Sequence, residues 1–276
     1  MNRVNFSTLI CDTGFSELVA KYKSMSREES LMRQAELYNS SDGGAARDGE
    51  YDCPICKNKR LIFLVSEGEI VTRPCKCAKI RRALYELRKS GLAESVMKNS
   101  FENYEVKEAW QADVKRRAVE FCNDPKAKAF YICGQSGAGK THICTAITLT
   151  YINRGVSCKY MLWRDESVRL KAAINDAEEY GKRMDEIKNV DFLYVDDFLR
   201  VNQGAMPSPA DINLAFEIVN SRFAEGKITI FSSELLTDEL VRIDEAISGR
   251  IFEHTGTKYC IAIPKDRAKN HRFNFQ

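Results

Sequence analysis

Short apolar runs and helical stretches alternate through the second half of the chain. "AFYIC" (129–133), "CKYML" (158–162), "FLYV" (192–195), "ITIF" (228–231) and "YCIAI" (259–263) read as strands. Residues 141–154, 166–188, 211–224 and 237–251 carry helical patterning between them. Strands alternating with helices predict an α/β fold with a five-stranded parallel sheet covered on its faces. Ahead of the first strand, Trp110, Val114, Ala118 and Phe121 mark an amphipathic helix stopped by "NDP" at 123–125. The first 40 residues also read as helix. Phe15, Leu18, Val19 and Tyr22 share one face, and Ser26 with Glu29 forms a capping box opening a second helix with Leu31, Ala35 and Tyr38 on one side. The polar, aperiodic "NSSDGGAARDGE" (39–50) predicts a linker.

Composition narrows the class without naming a function. The 276 residues leave room for one or two domains, and 44% hydrophobic with 29% charged residues is ordinary for a globular protein with a sizeable core. No run approaches the ~18 apolar residues of a membrane span, and "MNRVNFSTLICDTGF" lacks the order of a signal peptide. These features predict a cytoplasmic protein with no membrane partner. A net charge of +3 argues for no partner by itself, but "KCAKIRRALYELRKSG" sets Lys76, Lys79, Arg81, Arg82, Arg88 and Lys89 against the single acid Glu86. That helix is either a solvated basic face or a surface for single-stranded DNA phosphates. Arg169, Lys171, Lys182 and Arg183 form a competing surface.

Four of the ten cysteines fall in two close pairs, Cys53-x₂-Cys56 and Cys75-x-Cys77, separated by 18 residues. Tetrahedral Zn²⁺ takes such thiolates, and "RLIFLVSEGEIVTRP", turning at Glu67-Gly68, predicts a hairpin that brings the pairs together. Four protein thiolates leave no open position, so the zinc would be structural. The scattered Cys11, Cys122, Cys133, Cys144, Cys158 and Cys260 read as plain thiols acting as small hydrophobes.

"GQSGAGKT", comprising Gly134, Gln135, Ser136, Gly137, Ala138, Gly139, Lys140 and Thr141, fits G-x-x-x-x-G-K-[ST] between a strand and a helix. Its glycines let successive N–H groups point at phosphate oxygens, with the helix N-terminus behind them. Lys140 would meet the β- and γ-phosphates, and the Thr141 hydroxyl would bind Mg²⁺. His142, just past the loop, reads as a structural helix residue at its edge. "FLYVDDFLR" delivers Asp196 and Asp197 at a strand end, one for the metal shell and one to orient water. "ITIFSSE" ends in Ser232, Ser233 and Glu234, and Arg250 in "DEAISGRIFE" is a candidate arginine finger for a neighbouring subunit.

Together "GQSGAGKTH", "FLYVDDFL", "TIFSSELLTDEL", "IDEAISGRIFE" and the tail "KDRAKNHRF" resemble the bacterial and phage replicative-helicase loaders of the DnaC/DnaI type, a clade of AAA+ ATPases. "CPICKNK" with "CKCAKIRRALYELRKSGL" looks like the phage or prophage form. The resemblance covers roughly residues 50–276. It implies an ATPase that delivers a hexameric replicative DNA helicase onto single-stranded DNA, with possible ATP-dependent self-assembly. It also implies Lys140, Asp197 and Arg250 as catalytic groups, Thr141 and Asp196 on Mg²⁺, and Ser233 sensing the γ-phosphate. The expected organisation is a helicase-binding helical segment and linker (1–50), a zinc ribbon (51–78), a basic connector (79–109), an AAA+ domain (110–265) and a tail (266–276). With 13 residues after "YCIAI", little or no helical lid is expected, and Arg267 and Arg272 are the tail's candidate arginines. A transposition-type AAA+ regulator and a non-hydrolysing ATP-binding adaptor stay open as alternatives.

Overall fold

The computed structural model describes residues 25–44, 51–92, 96–201 and 205–270. The chain divides into two compact units at Ala78/Lys79. The helix expected around Phe15–Tyr22, Cys11 and the second half of the expected linker lie outside the described residues, as does Arg272.

The first unit holds helix α1 (Arg27–Ser40) and a two-stranded antiparallel sheet, β1 (Leu61–Ser66) and β2 (Glu69–Pro74). The capping box forms as read: Glu29 N donates to Ser26 Oγ at 3.2 Å, and Ser26 N to Glu29 Oε2 at 2.8 Å. Glu67 and Gly68 close the hairpin with φ of +52° and +76°, the left-handed pair that matches strand twist. The stretch read as linker from residue 39 starts inside this structure. Asn39 Nδ2 donates to Phe63 O at 2.8 Å and its Oδ1 accepts Phe63 N at 2.9 Å, a side chain imitating a neighbouring strand. Lys59 Nζ bonds the carbonyls of Tyr38 and Ser41, satisfying the end of α1.

Helix α2 (Cys77–Lys89) begins on the last cysteine and continues into the second unit. There α3 (Ala109–Asn123), β3 (Ala129–Gly134), α4 (Lys140–Asn153), β4 (Cys158–Leu162), α5 (Trp163–Ala172), α6 (Ala177–Asn189), β5 (Phe192–Asp196), α7 (Pro209–Ala224), β6 (Ile228–Ser233), α8 (Thr237–Ile243), α9 (Glu245–Tyr259) and β7 (Cys260–Ile263) follow. The five strands pair in parallel in the order β4-β5-β6-β3-β7. All five expected strands are present. β3 and β5 are buried along their whole length, as a sheet covered on both faces requires.

Two expected helices are each two. The stretch 166–188 breaks after Ala172, where Asp176 Oδ1 accepts Glu179 N at 3.1 Å and caps α6. The stretch 237–251 breaks at Asp244, whose Oδ1 accepts Ile247 N at 2.7 Å and starts α9. Both breaks use an aspartate to satisfy amides that the next helix would otherwise orphan. The main core mixes aliphatic and aromatic side chains, and in it Phe198 meets the rings of both Trp163 and Phe231. Beneath it Arg222, fully buried, donates to the carbonyls of Ile187, Val190 and Ile228 and to Thr229 Oγ1 at 2.7–2.8 Å. Burial lowers its pKa to about 10. After β7 the described chain holds a single 3₁₀ turn, Arg267–Lys269, and no helical lid among the described residues. No described helix is long and apolar enough to cross a membrane.

Candidate functional site

The C-terminal edge of the sheet gathers the ends of β3, β5 and β6. Gly134 ends β3 at φ +102°, and a Cβ there would lie 1.9 Å from the Ile263 carbonyl oxygen. That oxygen accepts Gln135 N at 3.1 Å, so β7 fixes the start of the loop and only glycine fits the approach. Gly139 at φ +83° opens α4, whose first residue is Lys140. Lys140 is buried, and its Nζ donates to Gly134 O at 2.8 Å and Gln135 O at 2.7 Å. Burial lowers its pKa from the ordinary lysine value, against the pull of the Glu234 and Asp197 carboxylates.

Facing the loop, Thr141 Oγ1 stands 3.4 Å from Asp196 Oδ1. Two hard oxygen donors converging at the head of a phosphate loop are a donor set that suits Mg²⁺. Asp197 follows at φ +52°, a left-handed backbone that is uncommon outside glycine. Burial raises the Asp197 pKa above the usual carboxylate value. A 2.7 Å ion pair with Arg200 opposes that rise. Arg200 also reaches Glu234 at 3.5 Å, so Asp197 and Glu234 share one cation beside Lys140. The edge thus offers anion donors, a metal-type oxygen pair and a carboxylate of raised basicity, the inventory for binding and cleaving a nucleoside triphosphate.

In the first unit Cys53, Cys56, Cys75 and Cys77 are buried, with all four sulfurs within 4.8 Å of one another. Cys53 and Cys75 Sγ are 3.8 Å apart, and Cys56 and Cys77 Sγ 3.5 Å. Tetrahedral zinc with ~2.3 Å Zn–S bonds separates its sulfurs by roughly 3.8 Å, so the cluster fits that ion. Lys57 and Asn58, at φ +50° and +66°, wrap the first knuckle, and Arg60 N donates to Cys56 Sγ at 3.3 Å. Burial raises the Cys75 thiol pKa. It works against the Cys53 thiol too, but the amides of Cys56 and Ile55 hold that group down at about 7.

A profile of the IstB-like ATP-binding proteins matches residues 58–248. The chain belongs to that family. Among its relatives, the phage-like element PBSX protein XkdC of Bacillus subtilis is 26% identical over 80% of this chain and 86% of its own length. The replicative helicase loader DnaC of Buchnera aphidicola is 27% identical over 47% of this chain, which spans about half of that relative (53%). Among solved structures, the crystal structure of DnaI shares the fold at a TM-score of 0.52, with 22% identity over 63% of this chain and 94% of that one. The second unit has the fold of that DnaI structure.

Within this IstB-like domain the expected residues separate. Lys140, Thr141, Asp196 and Asp197 come together as described. Of the paired serines, Ser232 donates to Asp196 Oδ1, whereas Ser233 Oγ donates to Phe198 O at 2.9 Å and accepts Leu235 N at 3.1 Å, facing away. Arg250 lies with its guanidinium 5.6 Å from the Phe216 ring and not in the Lys140–Asp196–Asp197 group. Arg267 is exposed. Arg169 and Arg183 pair with Glu166, and Lys171 with Asp211, while α2 exposes Lys79, Arg82 and Tyr85.

Other residues of the site escape a motif reading. Tyr104 packs beside Gly139, and its buried hydroxyl has no partner among the described residues. Its ring meets that of His142 edge-on at 5.1 Å. His142 Nε2 pairs with Ser100 O at 2.9 Å, tying the segment before α3 to the loop. The turn Ser100–Asn103, with Asn103 Oδ1 accepting Ser100 N at 2.7 Å, is the one local signal that marked it. Asn270 is buried with its carboxamide against Gly137, where a Cβ would lie 2.0 Å from Asn270 Oδ1.

Proposed function

We propose that the chain is an ATP-driven loader that delivers a hexameric replicative DNA helicase onto single-stranded DNA. The observation that carries the reading is the juxtaposition of Thr141 and Asp196 at 3.4 Å with Asp197 directly after them, its carboxylate paired to Arg200. In this reading Lys140 and the loop amides bind the β- and γ-phosphates, Thr141 and Asp196 hold Mg²⁺, and Asp197 orients the attacking water. Magnesium, when bound, neutralises charge developing between the phosphates. Arg250 serves a neighbouring copy's nucleotide, which makes self-assembly part of turnover. Ser233 faces away from the acidic pair, so the γ-phosphate-sensing role falls to Glu234. Tyr104 and His142 wall the loop where the nucleoside would lie.

The cysteine clip holds structural zinc, residues 1–50 grip the helicase, and α2 carries the DNA contact. Arg169, Lys171 and Arg183 of α5 and α6 are paired with neighbouring acids, which makes α2 the favoured phosphate surface. The DnaC relative supports helicase delivery, and the IstB-like family supports, as a second reading, an ATP-dependent regulator of transposition.

One experiment separates these readings. Intact wild type and Asp197→Asn are compared for ATP affinity, ATP turnover and retention of the host or phage replicative helicase, with and without ATP. The loader reading expects helicase retention by both, and turnover by wild type only, at unchanged affinity. Absence of wild-type turnover would turn the chain into an adaptor. Failure to retain any hexameric helicase removes the loader and leaves the transposition reading.

A further inference from the structure

Strands β4 and β5 pair with Tyr160 opposite Tyr194 and Leu162 opposite Asp196. That register sets the Tyr160 phenol beside the acidic end of β5, where its hydroxyl donates to Asp196 Oδ2 at 3.0 Å. From the other side, on β6, Ser232 Oγ donates to Asp196 Oδ1. Ser232 is itself fixed, accepting the Tyr194 hydroxyl at 3.4 Å and Asp197 N at 3.3 Å. Tyr160, Ser232 and Asp196 are each at least 94% buried by accessible area. Both carboxylate oxygens therefore receive a hydroxyl, and Oδ1 still faces Thr141.

A carboxylate has two soft torsions and would swing if it were held at one oxygen. Two hydroxyl donors from flanking strands remove that freedom. Outer partners of this kind orient a metal-binding carboxylate and tune how tightly it holds the ion.

We infer that Tyr160 and Ser232 are positioning residues that clamp the Asp196 carboxylate toward Thr141, and that they set the affinity for the magnesium accompanying the nucleotide. This rests on the nucleotide-site reading above. Neither hydroxyl touches the phosphate loop, so their removal acts on the metal and not on the nucleotide itself. Tyr160→Phe keeps the ring and its 5.3 Å edge contact with Tyr194, and removes one donor.

The test titrates Mg²⁺ against the full chain with a fluorescent ATP analogue at fixed concentration, and measures analogue affinity in EDTA alongside. Tyr160→Phe should raise the Mg²⁺ midpoint about 10–100-fold, with affinity in EDTA and the nucleotide-free melting temperature close to wild type. Ser232→Ala should move the midpoint in the same direction, and it carries the test if Tyr160→Phe does not fold. In an Asp196→Asn background, Tyr160→Phe should add no further shift, because the carboxylate it orients is gone. Midpoints unchanged in both single variants overturn the inference. So does a loss of affinity in EDTA equal to the loss in Mg²⁺, since that is collapse of the whole site. A wild type that binds no nucleotide under any condition strikes the nucleotide-site reading itself, a different outcome.

Discussion

Removing the metal from the cysteine clip should unfold the ribbon and leave the nucleotide site standing. The four cysteines are 0–3% exposed, yet among the described residues the only apolar side chains packed against them are Tyr51 and Ile62, both partly buried. No residue of β1 or β2 is fully buried. Full burial of an isoleucine-sized side chain stabilises by ~1.5–3 kcal/mol, so two half-buried ones contribute about 1–3 kcal/mol together. A structural zinc site contributes ~10–16 kcal/mol at neutral pH. The metal term is several times larger, and nothing else in the hairpin can replace it. The second unit has its own core around Trp163, Phe198 and Phe231 and does not draw on this energy.

The assay is zinc release by a mercurial, read with a chromophoric chelator, followed by limited trypsin digestion and nucleotide titration. Lys57, Lys59, Arg60 and Lys76 supply cleavage sites across the ribbon. They should be protected in the purified protein and cut rapidly after zinc release or in Cys56→Ser, with ATP affinity retained in both. A zinc-free ribbon that still resists trypsin would refute the reasoning, as would a purified protein that carries only trace metal.

Two further outcomes follow from the second unit. Arg200→Gln removes the cation 2.7 Å from Asp197; burial already raises that pKa and Arg200 opposes it, so losing the arginine favours the neutral acid. The acid limb of ATP turnover should move to higher pH by about 1 unit or less, since Arg200 is solvent-exposed and its effect is screened; a limb moving downward sinks the assignment of Asp197 as the ionised group. Tyr104→Phe deletes a buried hydroxyl that has no partner among the described residues and whose pKa burial pushes up to about 12. It should stabilise the nucleotide-free protein by about 1–3 kcal/mol, seen as a higher midpoint in calorimetry, and a lower midpoint would show that the hydroxyl is satisfied.

The strands and the phosphate loop were legible because their signals are local. A run such as "AFYIC" needs no knowledge of its neighbours, and the glycines of "GQSGAGKT" declare the backbone they need. The breaks at 173–176 and 244 were not, because an aspartate can cap a new helix without disturbing the surrounding apolar period. Tyr160 and Ser232 were harder still. Their role depends on which strands lie beside β5 and in what register, a fact no single segment carries. "SS" at the end of β6 shows the limit. Side chains alternate across a sheet, so of two adjacent serines one meets Asp196 and the other the opposite side. Choosing between them needs the phase of the alternation relative to β5.

The C-x-C knuckle reverses that lesson, since a single intervening residue leaves little chain in which to turn two ligands onto one ion. In a continuing strand Cys75 and Cys77 would share a face but sit too far apart along it to close on one ion with Cys53 and Cys56. The chain avoids this by changing structure between them: β2 ends at Pro74, Ala78 N donates to Cys75 O at 3.0 Å, and Cys77 is the first residue of α2. Cys75 is thus presented from a strand end and Cys77 from a helix start, which turns both sulfurs inward within one turn of chain. The same turn starts α2 on a cysteine of the cluster, so helix and knuckle share Cys77.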